Sequence, residues 1–172
     1  PTSGPGRPRR ATMGRFSTPA SGGAAGRAYR FPGARACVGV PGPATDGRLS
    51  VVDLRRRGGH TTPMHVHEDA DEAFHVLEGE LTAPRPDGTN TVTAGESVVL
   101  PRGEPHAVVV ESQARAVVST TPAGFDEFVT AVVEPTDDET VPTEPPSEAA
   151  IGRVEELGPE HGISIRGPPP RP

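Results

Sequence analysis

A succession of short β-type runs between residues 34 and 121 constrains the fold of this chain more than any other feature. The runs are rich in valine, threonine and leucine, and glycine, proline or aspartate ends most of them. In order, they are ARACVGV, RLSVVDLR, MHVH, EAFHVLEGELTAP, TNTVTAGESVVLP, PHAVVVES and ARAVVSTTP. EGE at 78–80 and the Asp-Gly turn PDGTN at 86–90 predict hairpins. Short strands at this spacing are typical of an all-β sandwich or barrel, which we place at residues 28–121.

The N-terminal segment has a different composition. The chain contains 21 glycines and 22 prolines among 172 residues, and its hydrophobic fraction of 33% is too low for a packed core throughout. Residues 1–45 hold seven arginines and no acidic residue. These arginines are scattered among glycine and proline, which favours a solvated tail over a nucleic-acid-binding surface. We predict that residues 1–27 form a disordered Arg/Gly/Pro-rich arm.

The C-terminal segment, residues 122–172, is predicted to be a helical covering layer with a proline-rich linker. Apolar residues at helical spacing mark a first helix, and a second helix begins after the N-cap candidate Ser147. Either Pro159 or Gly162 ends the second helix. The apolar positions are Phe125, Phe128, Val129 and Val132 in the first helix, and Ile151, Val154 and Leu157 in the second.

Four of the six histidines lie in the stretch GGHTTPMHVHEDADEAFHVLEG. His65 and His67 are two positions apart, so on a strand both side chains lie on one face and can bind the same ion. Glu72 is at an odd offset from His65 and would face the other way on an uninterrupted strand. The short polar sequence EDAD before it supplies a turn that resets the alternation, so that Glu72 can join the two histidines.

A fourth candidate ligand, His106, follows GESVVLPRGEP, whose glycines and prolines predict a tight return into a strand. In an antiparallel barrel this hairpin lies across from the first one, within reach of His65, His67 and Glu72. Three imidazoles and one carboxylate suit a divalent ion of Fe, Ni, Mn, Co, Cu or Zn. Four protein ligands leave one or two coordination positions for substrate. We predict one such ion per chain.

The remaining histidines are interpreted as surface or core residues. They are His60, His75 and His161. His75 differs in phase from Glu72 on the same strand, so we expect it to face away from the metal.

Apolar residues share the faces of the predicted ligands. Phe74 and Val76 follow the Glu72 face, and Val108 and Val110 follow the His106 face. These four side chains predict a hydrophobic chamber for a small, largely apolar substrate.

The spacing of these residues resembles the paired motifs of the cupin superfamily. Each segment opens on a glycine, Gly59 or Gly95, and Val110 departs from the family pattern by replacing the usual asparagine. TPAGFDEF and HGISIRGPPP also resemble single-domain bacterial cupins related to the flavonol (quercetin) dioxygenases. The matching positions are Gly59, His65, His67, Glu72 and Gly79 in the first motif, and Gly95, Pro101, Gly103 and His106 in the second.

The resemblance implies a double-stranded β-helix (jelly-roll) barrel with short C-terminal helices, often dimeric. It also implies that Glu72 acts as a catalytic base for a substrate hydroxyl in addition to binding the metal.

Three functions fit these expectations. The first is a dioxygenase that activates the enolate of an aromatic or polyketide-like substrate together with O2. The second is a redox-neutral, metal-dependent isomerase, cyclase or epimerase of secondary metabolism. The third is a small-molecule-binding module without catalysis. The sequence does not separate them.

The sequence also bears on location and partners. Cys37 is the single cysteine, which excludes an intrachain disulfide, and no stretch has the roughly 20 apolar residues of a membrane span. We expect a cytoplasmic homodimer that takes a small-molecule substrate and binds neither nucleic acid nor membranes.

Overall fold

A computed structural model describes residues 26–170, and residues 1–25 of the predicted arm lie outside this range. The described residues contain thirteen strands and two α-helices. The strands are β1 (Ala28–Tyr29), β2 (Ala34–Val40), β3 (Ser50–Arg56), β4 (His60–Thr61), β5 (Met64–His67), β6 (Asp71–Glu78), β7 (Glu80–Arg85), β8 (Gly88–Thr93), β9 (Ser97–Leu100), β10 (Val109–Val110), β11 (Ala114–Thr121), β12 (Pro135–Thr136) and β13 (Ile163–Gly167); the helices are α1 (Phe125–Val132) and α2 (Glu148–Leu157).

One layer of the barrel is an antiparallel seven-stranded sheet in the order β12-β1-β2-β3-β11-β6-β9. Its strands alternate buried with partly exposed residues, as β3 does from Ser50 to Arg56. This period of two is the one that the valine-rich runs predict. The inward residues, such as Leu54, Val76 and Val118, form the apolar core.

The opposite layer is built around the chain from His60 to His67. This chain runs antiparallel to residues 106–110, with His60 opposite Val110 and His65 opposite His106. β10 continues the layer to β7 and β8, and β13 adds an edge next to β5. The two layers enclose one core, so the prediction of an all-β barrel is confirmed.

Both predicted hairpins are present. β6 ends at Glu78 and β7 begins at Glu80, so Gly79 alone makes the turn, with a φ of 76°. A Cβ at this position would lie 2.2 Å from the carbonyl oxygen of Gln113, so the turn requires glycine. The second hairpin joins Arg85 of β7 to Gly88 of β8.

The first predicted helix covers one side of the core. Its four predicted apolar residues are all buried, which confirms the helical spacing. Phe31, from the loop between β1 and β2, packs edge-on against Phe125 and Phe128, with ring centroids 6.0 and 5.8 Å apart.

The second helix packs more loosely than predicted. The amide of Ala150 donates a 3.2 Å hydrogen bond to Oγ of Ser147, which confirms the N-cap. Val154 and Leu157 pack against the core, but Ile151 is 41% exposed and contributes to the wall of a cavity. The helix ends at Leu157, and a 3-10 turn continues to a left-handed Gly162.

The segment after residue 122 also contributes strands, which the helical prediction for this region did not include. β12 pairs with β1 and β13 pairs with β5. Among residues 26–170, no helix is long and apolar enough to span a membrane.

Candidate metal centre

β5 carries His65 and His67 on one face, as their spacing predicts. The strand is held on both sides by backbone hydrogen bonds. On one side β13 pairs with it, with Ile163 opposite His67. On the other side, the amides of His65 and His106 each donate to the carbonyl oxygen of the other residue, at 2.8 and 2.9 Å. The backbone beneath the two imidazoles is therefore fixed from two directions.

Glu72 lies at the start of β6, after the turn formed by the EDAD sequence. Its carboxylate is buried, as are Phe74 and Val76 on the same face. His75 is exposed and lies 2.9 Å, Nδ1 to Oγ, from Ser97 on the neighbouring strand β9. The turn thus resets the alternation as predicted, and His75 faces away from the other three histidines.

His106 completes the group and is fully buried. The loop before it is anchored to β5, because the amide of Gly103 donates to the carbonyl oxygen of His67 at 2.8 Å. His65, His67, Glu72 and His106, hereafter the ligand cluster, each offer one ligand atom, and these atoms lie within 4.8 Å of one another. Oε2 of Glu72 lies 3.3 Å from Nε2 of His106 and 3.7 Å from Nε2 of His67.

The hydrogen bonds of the ligand cluster fit a metal ion. Nδ1 of His65 lies 2.9 Å from the carbonyl oxygen of Pro63, and Nδ1 of His106 lies 3.1 Å from that of Glu104. Because a carbonyl oxygen only accepts, each Nδ1 carries the proton and each Nε2 keeps a free lone pair. Nε2 of His106 and Oε2 of Glu72 are buried without a hydrogen-bond partner among the described residues. A cation would satisfy both atoms.

Protonation also favours metal binding. Burial raises the pKa of Glu72, but His67 and His106 outweigh it and lower that pKa to about 2. Burial, followed by the neighbouring His106, lowers the pKa of His65 to about 4. At neutral pH the glutamate is therefore ionised and His65 is uncharged, which are the states that bind divalent metals.

Three members of the ligand cluster, His65, His67 and Glu72, line a cavity of about 480 Å³, and His106 lies behind them. Phe74 and Val108 contribute to its wall, together with Phe125 and Phe128 from α1. Its outer wall comes from the C-terminal segment. The residues there are Pro145, Pro146, Ile151, Val154, Glu155, Ile163, Ile165, Gly167, Pro168 and Pro169.

Two predicted chamber residues lie elsewhere. Val76 and Val110 are fully buried but do not line the cavity. Each is two residues beyond Phe74 or Val108 on its strand, where the interior is closed by packed side chains such as Leu54 and Ala116.

Arg56 lies on the inward face of β3 and contributes to the cavity wall, although no motif in the sequence marks it as a site residue. It is only 7% exposed. Burial lowers its pKa to about 10, so the guanidinium remains charged. A signal was available, because Val52, Leu54 and Arg56 share one phase of the strand alternation.

His60, interpreted as a surface or core residue, is buried and lines the same cavity. Burial, together with the charges of Arg56 and Arg57, lowers its pKa to about 3, so the ring is neutral. The ring packs directly on Gly33, where a Cβ would lie 2.0 Å from Cε1 of His60. His161, the remaining histidine, lies beside Phe128, with ring centroids 5.7 Å apart.

Comparison with protein families agrees with this architecture. The model of the cupin domain family matches residues 55–121, which span all four members of the ligand cluster. Residues 55–121 are a cupin domain. The paired-motif resemblance in the sequence is therefore confirmed.

Known proteins extend the comparison beyond this cupin domain. Over 99 residues the chain is 30% identical to quercetin 2,3-dioxygenase of Bacillus subtilis (strain 168), covering 58% of this chain but only 29% of that protein. Two solved structures are similar to part of this chain at low identity. KdgF from Halomonas sp. is 20% identical with a TM-score of 0.49, covering 56% of this chain and 86% of that one. A sugar phosphate isomerase of the cupin superfamily from Silicibacter pomeroyi DSS-3 is 23% identical with a TM-score of 0.45, covering 54% and 61%.

Proposed function

We propose that the chain is a metal-dependent oxygenase acting on a small molecule with an apolar body. The observation that carries this proposal is the ligand cluster at the wall of a largely apolar cavity of about 480 Å³. A site of this size accommodates a drug-sized molecule, and four protein ligands leave coordination positions free on a five- or six-coordinate ion. The 30% identity with a quercetin 2,3-dioxygenase supports the same chemistry over the shared 99 residues.

The residues of the cavity would have three roles, which are metal binding, proton transfer and substrate contact. A redox-capable ion held by the ligand cluster would supply the electron transfer that reaction with O2 requires. The Glu72 carboxylate is ionised, so while one of its oxygens would hold the metal, the other can accept the proton of a substrate hydroxyl. Phe74, Val108 and Phe125 give the substrate an apolar surface that excludes water from the reacting group.

The first test is metal content per chain by mass spectrometry, on protein purified without a metal-leaching column. We expect about one equivalent of iron, nickel, copper or manganese. Flavonols and enolic polyketides would then be screened for metal-dependent turnover, with oxygen consumption recorded beside substrate loss. Glu72→Gln should abolish turnover, whereas His75→Ala, on the outer face of the same strand, should not change it.

An anaerobic repeat separates the candidate functions. Turnover that requires O2 and consumes it in proportion to substrate supports the oxygenase. Equal turnover without O2 would overturn it in favour of the redox-neutral metalloenzyme, and so would activity with zinc alone. Failure to bind metal even after reconstitution would contradict both and leave the binding module.

A further inference from the structure

The far end of the cavity contains a buried cation that metal binding does not use. Arg56 faces inward between Ala34 of β2 and Ala114 of β11, whose small side chains leave room for its length. Its Nε and Nη1 atoms are buried, and neither has a hydrogen-bond partner in the described part of the chain. Burying an ionised group without a partner is costly, so this arrangement calls for an anion.

The charges facing Arg56 do not neutralise it once a metal is bound. Glu72 is the acidic residue whose charge raises the pKa of Arg56 against the effect of burial. Glu72 also belongs to the ligand cluster, where a divalent ion would more than offset its charge. Glu155, the other acidic residue of the cavity wall, is exposed at the mouth. Even in the metal-free chain no carboxylate among residues 26–170 forms an ion pair with Arg56, so an anionic ligand would be its first close partner, and a bound metal would make the cavity net positive in addition.

His60 offers a second polar group at the same end. Its Nε2 is buried and makes no hydrogen bond to any residue from 26 to 170. The ring is held in place by Gly33, whose φ of 70° and missing side chain allow the close approach. A neutral imidazole presents one donor or one acceptor, depending on its tautomer. Arg56 is the one arginine among the described residues of the cavity wall, and its planar fork matches the two oxygens of a carboxylate. A phosphate would bring a second negative charge without a second cation to balance it.

The two ends of the cavity are separated along the barrel. His65 lies opposite His106, and His60 lies opposite Val110. His106 and Val110 are four residues apart. Four residues of extended chain span roughly 13 Å. Phe74 and Val108 line the same cavity as the residues of both polar ends.

We propose that the substrate carries a carboxylate that binds Arg56 and His60, while its apolar body reaches towards the ligand cluster. This inference rests on the proposed function, because it names the substrate class of the same site. It refines the expectation of a largely apolar substrate by adding one anionic group at a defined end. Arg56 is thus a substrate-binding residue, charge-assisted and shielded from water.

The probe for this proposal is 2-naphthoate, with neutral 2-naphthamide as its isosteric control. The chain has no tryptophan and one tyrosine, so the fluorescence of the naphthalene ring is observed against little background. Titrations use the full chain, both metal-free and metal-loaded. We expect metal-free protein to bind 2-naphthoate at least about tenfold more tightly than 2-naphthamide, as a charge-assisted hydrogen bond provides.

The decisive variant is Arg56→Met, which keeps length and removes the charge. It should abolish the preference for naphthoate and leave naphthamide affinity within about twofold. Arg55→Met is the matched control, because Arg55 is the next residue on β3, points to the other face and does not line the cavity. It should behave as wild type. Arg56→Lys should retain part of the preference, and circular dichroism verifies that each variant is folded.

The affinities of the wild-type protein for 2-naphthoate and 2-naphthamide test the proposal even if Arg56→Met does not fold. Equal binding of both probes, or binding of neither, would overturn the proposal. A naphthoate preference that appears only with metal would also overturn it, because the carboxylate would then be binding the ion. A preference in metal-free protein stands independently of oxygen chemistry, so loss of the proposed oxygenase function would leave this result unchanged.

Discussion

The two ends of the cavity offer different ligand-binding groups, and only one of them is marked by a spacing motif in the sequence. At one end, four side chains from three separate segments bring their ligand atoms within 4.8 Å. At the other end, Arg56 and His60 are both buried on the cavity wall, and no fixed sequence spacing relates them. A metal requires several donors to meet at one point, which constrains strand phase and turn length. An anion requires one cation on an inward face, which any strand can supply.

The largest effect should come from His106→Ala. Removing a buried ligand should lower metal affinity by at least about a hundredfold, because even losses of outer hydrogen-bond partners cost tenfold to a hundredfold. Naphthoate binding to the metal-free protein should stay within about twofold of wild type. Mass spectrometry measures the loss of metal, and the fluorescence titration measures naphthoate binding. Full metal occupancy in this variant would show that His106 is not a ligand.

Ile163→Ala tests how far the metal end depends on the C-terminal strand. Ile163 is 5% exposed and pairs with His67, so its truncation should lower the free energy of unfolding by about 2–5 kcal/mol. Metal affinity should fall with it, because β5 loses support beneath two ligands. Chemical denaturation and metal titration measure both changes. Ile163→Val is the matched control, with an expected loss of about 1 kcal/mol.

Gly33→Ala is the corresponding test at the other end. A Cβ would overlap the His60 ring, and alanine is strained at a φ of 70°. The expected loss in the free energy of unfolding is about 2 kcal/mol, and the His60 ring must move. Its imidazole signals in NMR spectra should shift, while metal content stays near wild type. Gly26→Ala, at a φ of 79° with open space around it, separates backbone strain from the displacement of His60. Unchanged His60 signals in Gly33→Ala would contradict the packing.

The smallest effect should come from Ser147→Ala. Loss of the N-cap of α2 should lower the free energy of unfolding by about 1 kcal/mol. Neither metal content nor the naphthoate preference should change, because α2 contributes to the mouth and to neither polar end. Thermal denaturation measures the loss, and Ser147→Asp, which keeps a capping oxygen, should restore it. A change in metal content would show that the cap acts on the ligand cluster.

The barrel was predictable because its strands are short, alternating and separated by strong turn residues. Gly79 shows this most clearly, since its left-handed backbone and close contact with Gln113 leave no alternative to glycine. Glu72 was predictable for a related reason. Its odd offset from His65 fits a shared ion only if a turn intervenes, and the polar sequence before it provides one.

The remaining features depend on long-range pairing that local patterns do not encode. β13 is a short run that could equally well have been a loop, and it becomes a strand because β5 offers an unpaired edge. Val76 and Val110 share the predicted faces, but how deep the cavity extends is decided by the packing of Leu54 and its neighbours. The inward phase of Arg56 was readable, although its role depends on the cavity that it meets.

The outer rim of the cavity is rich in proline, and this has a consequence for the rate of ligand entry. Pro145, Pro168 and Pro169 are exposed residues of the cavity wall. A proline has a fixed φ and no amide donor, so this rim has little backbone freedom to lose when a ligand passes. Association should therefore follow a single exponential that rises linearly with ligand concentration, without a slower closing phase.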